Sequence, residues 1–82
     1  MKQLRIILYG HSGCPGTKRA RRFFRLRRLP VVERDVADPR VWSEWVAQGV
    51  WATPLVIIAD IKMVGFDQER CQQILDRFPG EG

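Results

Sequence analysis

Cysteine and histidine are scarce in this sequence. Cys14 and Cys71 are its cysteines and His11 its one histidine. Two cysteines do not make a disulfide framework. His11, Cys14 and Cys71 also lack the paired ligand spacing of a metal site, so no metal is expected. Long apolar runs are missing too. The longest, Thr53 to Ala59, is far too short to cross a bilayer, so no membrane association is expected. The chain starts with one lysine before a strand-like run, without the apolar stretch and small-residue cleavage site of a secretory leader. A cytoplasmic protein is therefore expected, and in that reducing compartment the thiols stay free for catalysis or burial. Repeats, low-complexity tracts and linkers are absent, so residues 1–82 read as a single domain with a small core. A monomer is the expected state.

Acidic residues are the minority charge: 9 against 14 lysines and arginines, for a net charge of +5. Half of the basic residues lie between Lys18 and Arg28, nearly all of them arginine. A solvated helix face is the simpler account of that run. A surface for phosphate or carboxylate groups is the sharper one. Trp42, Trp45 and Trp51 stand apart from the basic run and suit packing better than base stacking, so nucleic acid is not an expected partner.

The elements follow one another closely. Leu4 to Tyr9 is a near-continuous apolar run, a strand covered on both faces. Gly10 to Gly13 is a loop, and Pro15 opens a helix that Pro30 ends. Its apolar stripe is Ala20, Phe23, Phe24 and Leu26 or Arg27. Val31 to Val36 is a second strand. Asp38-Pro39 caps a second helix running to about Gln48, with the stripe Val41, Trp42, Trp45 and Val46. Thr53 to Ile58 is a third strand, Ala59 to Lys62 a turn, and Met63-Val64 a short return strand. Asp67 caps a last helix to about Phe78, ended by Pro79-Gly80, with Cys71, Ile74, Leu75 and Phe78 on one face. The order βαβαββα favours an α/β fold with a mostly parallel sheet and one antiparallel hairpin edge.

Chemistry concentrates in Ser12-Gly13-Cys14-Pro15-Gly16-Thr17. A thiol attacks only as thiolate, and a free pKa of about 8.5 leaves little of it at neutral pH. Cys14 falls at the N-cap of the first helix, where unpaired N–H groups and the positive dipole end meet. Pro15 has no N–H, but Gly16 and Thr17 do, and the Thr17 hydroxyl lies three residues on. The arginine-rich helix adds a diffuse positive field. Cys71 sits on an apolar stripe and reads as a core residue.

Gly13-Cys14-Pro15 at a helix start after a strand, followed by Lys18-Arg19-Ala20, resembles the active-site segment of glutaredoxins. Thr53-Pro54 resembles that family's segment with a cis proline, and Val64-Gly65-Phe66-Asp67 its glycine-aromatic turn. The three segments occur in order over nearly the whole chain. The resemblance implies a thioredoxin fold, a four-stranded mixed sheet flanked by three helices. It implies Cys14 as nucleophile with Thr17 beside it, and glutathione as co-substrate. Glutathione would meet His11, Pro15, Gly16, Thr53, Pro54, Gly65, Phe66 and Asp67. The partners implied are glutathione and glutathionylated or disulfide-bearing proteins.

Three departures qualify the likeness. Thr17 stands where the family's second cysteine would be, Val64 replaces one of a glycine pair, and His11 is a weaker carboxylate partner than lysine or arginine. Pro15 departs from the motif of one-cysteine glutaredoxins that hold an iron–sulfur cluster. The expected activity is glutathione-dependent thiol–disulfide exchange by a one-cysteine route. The alternative is a weakly active thioredoxin-fold binding module. It would hold a protein or acidic partner on the basic helix and the Thr53-Pro54 surface.

Overall fold

The apolar run at the start of the chain forms strand β1, Ile6–Gly10, in a computed structural model that describes residues 4–78. Helix α1 follows as Pro15–Leu26, strand β2 as Val32–Asp35, helix α2 as Pro39–Val46, strands β3 and β4 as Leu55–Ile58 and Ile61–Val64, and helix α3 as Gln68–Leu75. The expected element order is present. The proposed stop at Pro79-Gly80 lies outside the described residues.

Alternation along β1 explains its unbroken apolarity. Successive side chains point to opposite faces, and here both faces are covered. Ile6 and Leu8 pack with Ala20, Phe23 and Phe24 of α1 and with Cys71 and Ile74 of α3. Tyr9 faces the other way, with Leu55, Ile57 and Val41 of α2. The chain is thus a sheet between two helices on one side and one on the other.

The sheet order is β2-β1-β3-β4. Only β1 and β2 run parallel; β3 is antiparallel to β1 and to β4. This corrects the mostly parallel sheet expected from alternating elements. Helix α2 is two turns long, about 12 Å at 1.5 Å per residue. The chain after it joins the sheet beside the end of β1, with Leu55 opposite Tyr9 and Ile58 opposite Ile6. Alternation of helix and strand carries no information about that sense.

Several boundaries shift for local reasons. Helix α1 stops before Pro30 because Arg28 takes a left-handed conformation, φ 55°. Arg28 N–H then donates to Arg25 O (3.0 Å) and Leu29 N–H to Phe24 O (3.1 Å), the paired bonds of a Schellman cap. The expected ends of α2 and α3 at Gln48 and Phe78 fall in tighter closing turns. There, Gln48 N–H donates to Trp45 O and Phe78 N–H to Leu75 O. The hairpin turn is two residues, not four. Ala59 has φ 57°, and Ile61 already pairs with Ile58.

Two stripe residues also differ. Trp42 is 54% exposed, because two turns of helix present only Val41 and Trp45 to the sheet. Leu26 is exposed as well, while the Arg27 guanidinium lies 3.6 Å from the centre of the Phe23 ring. Beneath α2, Tyr9 Oη donates to Glu44 Oε2 (2.8 Å) and Arg34 grips Glu44 through Nε (3.0 Å) and Nη2 (2.7 Å). Burial and Glu44 together push the Tyr9 hydroxyl pKa up to about 12.

The packing separates the two aromatic classes. Phe24→Ala is expected to cost ~3–5 kcal/mol in urea unfolding. Trp42→Ala is expected to stay within about 0.5 kcal/mol. Equal losses would contradict the assignment of the α2 face.

Candidate active site

Cys14 is the N-cap of α1, in extended conformation, with no side-chain cap bond of its own. The loop that delivers it closes tightly, since Cys14 N–H donates to His11 O at 3.1 Å. Pro15 holds the first helical position, so the N–H groups that remain near the sulfur belong to Gly16 and Thr17. The thiol donates to Thr53 O at 3.6 Å, and the Thr53 hydroxyl donates to Sγ at 3.8 Å. Residues 39 apart in sequence therefore meet at the sulfur.

The Cys14 pKa is lowered from the ordinary thiol value. The Thr17 hydroxyl contributes most and the Thr17 N–H next; the Thr53 hydroxyl and the Gly16 N–H add to them against a desolvation penalty. No arginine figures among these causes. The local donors expected from the sequence, the Gly16 and Thr17 N–H groups and the Thr17 hydroxyl, are the ones that act here, with the Thr53 hydroxyl added. Thr17 itself is 2% exposed, and its Oγ1 is buried with no partner of good geometry at rest. The hydroxyl is near enough to favour the charged sulfur without meeting the geometry of a full hydrogen bond, and an ionised sulfur is the stronger acceptor.

Two glycines make the site possible. A Cβ on Gly10, at the end of β1, would overlap the Thr17 side chain. A Cβ on Gly16 would lie 2.8 Å from Pro54 Cδ. The second contact seats the start of α1 directly on the Thr53-Pro54 loop, whose peptide bond is cis. Pro54 O in turn accepts from Gly65 N–H at 2.8 Å, tying in the turn after β4. Gly65 sits at φ +78°, which favours glycine. Cys14, Gly16, Thr17, Thr53, Pro54 and Gly65 are thus brought together.

The other candidates are placed less directly. His11 is exposed, and its Nδ1 accepts from Gly13 N–H at 3.2 Å, leaving Nε2 as the free ring atom. The Phe66 ring turns inward, edge-on to Phe23 at 5.4 Å. The Asp67 carboxylate caps α3, accepting from Glu69 N–H (3.0 Å) and Arg70 N–H (3.2 Å). Cys71 is fully buried, and desolvation pushes its pKa up to about 11. Among the described residues no group of three His, Cys, Asp or Glu side chains is placed to hold a metal.

Sequence reasoning missed the residues that hold the Thr53 loop. Trp45 Nε1 donates to Ala52 O (3.2 Å), Trp51 Nε1 to Val46 O (3.4 Å) and Lys62 Nζ to Gln48 O (3.0 Å). Three tryptophans within ten residues ahead of a proline were the available signal. Gly10 was also missed, since nothing in one sequence shows that its neighbour across the loop is Thr17.

No family model matches the sequence, and no curated protein matches it. Solved structures do. A point mutant of the thioredoxin-like protein BC3987 superposes with TM-score 0.77 at 25% identity, over 87% of this chain and 99% of that one. The glutaredoxin-like protein NrdH-redoxin from Escherichia coli gives TM-score 0.73 at 24% identity, over 85% of this chain and 93% of that one. The glutaredoxin from Archaeoglobus fulgidus gives 0.71 at 18%, over 87% and 85%. The chain has the thioredoxin fold.

Thr17→Val keeps the shape and removes only the hydroxyl. It is expected to raise the Cys14 pKa, read as an upward move in the pH midpoint of iodoacetamide alkylation. Because that hydroxyl has no partner at rest, stability should not fall by the ~1 kcal/mol that a lost hydrogen bond costs. An unmoved midpoint would remove Thr17 from the site.

Proposed function

We propose that the chain is a thiol–disulfide oxidoreductase that uses glutathione and a single cysteine. The observation that carries this reading is the helix-capping Cys14, with Thr17 in place of a second thiol. The Cys14 thiolate attacks the glutathione sulfur of a protein–glutathione mixed disulfide. The protein thiolate leaves and takes up a proton, and Cys14 becomes disulfide-bonded to glutathione. A second glutathione thiolate attacks that glutathione sulfur, giving oxidised glutathione and the Cys14 thiolate. Glutathione supplies both electrons.

The chain's own groups serve these steps in distinct ways. Thr17 and Thr53 hydroxyls and the Gly16 and Thr17 N–H groups favour the thiolate both as attacking and as leaving group. The Thr53 backbone lies beside the sulfur, where an extended peptide such as glutathione would pair with it. Gly65 and the backbone of the following turn would meet the γ-glutamyl end, and His11 Nε2–H a carboxylate. Cys71 takes no part, because a buried thiol with a raised pKa yields almost no thiolate.

Cys14→Ser is expected to abolish glutathione-dependent turnover of a small mixed disulfide, while Cys71→Ala keeps it. In a single turnover without free glutathione, the rate of Cys14 attack should rise with pH as Cys14 ionises and level off below the pH at which an ordinary thiol would, since the folded pKa is the lower one. Turnover retained by Cys14→Ser would overturn the proposal.

A further inference from the structure

Arg21, Arg34 and Arg40 each pair with a carboxylate, Glu33, Glu44 and Asp38. Arg19 and Arg22 pair with none among the described residues, and Arg27 donates from Nε to Gln72 Oε1 (3.0 Å) and not to a carboxylate. Arg19, Arg22 and Arg27 line one groove of about 410 Å³ with Leu26, Phe23 and Phe66. That volume lies within the range of ligand-binding clefts, about 300–1,000 Å³. Leu26 is 67% exposed, a large apolar side chain with nothing over it.

The groove adjoins the reactive cysteine. Arg19 Nη2 reaches within 3.7 Å of where a Gly16 side chain would begin, two residues from Cys14. At the far side, Phe66 follows the Gly65 whose N–H is tied to Pro54. A substrate chain whose glutathionylated cysteine is presented to Cys14 would thus continue into this groove.

We propose that the groove docks an acidic polypeptide segment flanking the substrate's disulfide-bonded cysteine, with one bulky apolar residue set against Leu26. This rests on the oxidoreductase reading above and adds the class of protein substrate. Arg19 and Arg22, which hold no carboxylate of this chain among the described residues, can take carboxylates in bidentate geometry, and the apolar floor selects a side chain rather than a bare charge. A nucleic acid fits less well. Single strands need open aromatic faces for stacking. Here the Phe23 ring carries Arg27, and Phe66 is turned edge-on toward Phe23 and Phe24.

The probe is a labelled dodecapeptide with four glutamates around one leucine and serine in place of the substrate cysteine. Its partner peptide has glutamine for every glutamate. Fluorescence anisotropy should show at least tenfold tighter binding of the acidic peptide, weakening as salt rises. Arg19→Glu with Arg22→Glu should lose at least tenfold. Arg40→Glu, on α2 across the sheet, should lose less than twofold. The proposal is overturned if the two peptides bind alike, if Arg40→Glu loses as much as the groove variant, or if a thymidine oligonucleotide of equal charge competes as well as the peptide. Replacing serine with glutathionylated cysteine separates the two readings. Selective binding without Cys14-dependent turnover would keep the groove and remove the oxidoreductase; turnover without selectivity would do the reverse.

Discussion

One approach of backbone to side chain organises the site: the first turn of α1 rests on Pro54 with no room for a further carbon at Gly16. Any larger residue there would push the helix off the loop. The approach matters because strand pairing has already brought the two segments close. β1 and β3 are adjacent and antiparallel, so the end of one and the start of the other are neighbours, Tyr9 opposite Leu55. The loop leaving β1 carries Cys14, and the loop entering β3 carries Thr53 and Pro54. The bond from Gly65 N–H to Pro54 O extends the same junction to the β4 turn. Three segments distant in sequence share one corner because of sheet order and one missing Cβ.

The two cysteines show how strongly position governs a thiol. Both begin from the same chemistry. Cys71 loses water without gaining donors, and its ionisation is suppressed. Cys14 also suffers some desolvation, but four donors from three residues outweigh it. Thr17 is the instructive member. An unpaired buried hydroxyl costs about 1–3 kcal/mol, so Thr17 is poorly placed as simple filler. An ionised Cys14 gives that hydroxyl its acceptor. Thr17 Oγ1 is unpaired in the structure, and it contributes most to the lowered Cys14 pKa. A hydroxyl cannot close a disulfide with its neighbour.

Local signals in the sequence were dependable where one residue type has one physical use. Pro15, Asp38 and Asp67 mark helix starts because a missing N–H or a short carboxylate suits those positions, and the helices begin there. The unbroken apolarity of β1 required cover on both faces, which α1, α3 and α2 provide. The glycine-flanked cysteine was readable because the dipole end and free N–H groups follow from its place before Pro15. Illegible features depend on partners far along the chain. The sense of β3, the exposure of Trp42 and the need for glycine at Gly10 are set by what lies across the sheet or loop. Arg28 ends α1 in a left-handed conformation that no rule for arginine would suggest.

The arginines show the limit of charge counting most clearly. A basic run beside a reactive cysteine suggests a field that lowers the thiol pKa. Exposed charges are screened over about 8 Å at physiological salt, whereas donors in contact with sulfur are not. Hydrogen bonds from Thr17, Thr53 and Gly16 are accordingly what lower the Cys14 pKa. The arrangement of the arginines is still not that of a uniformly solvated face. Arg21 turns toward Glu33 at 2.8 Å, while Arg19 and Arg22, on the same helix, turn to a groove that contains no carboxylate. Helical periodicity thus divides one basic run into a structural side and an open side. The open side lies next to the cysteine.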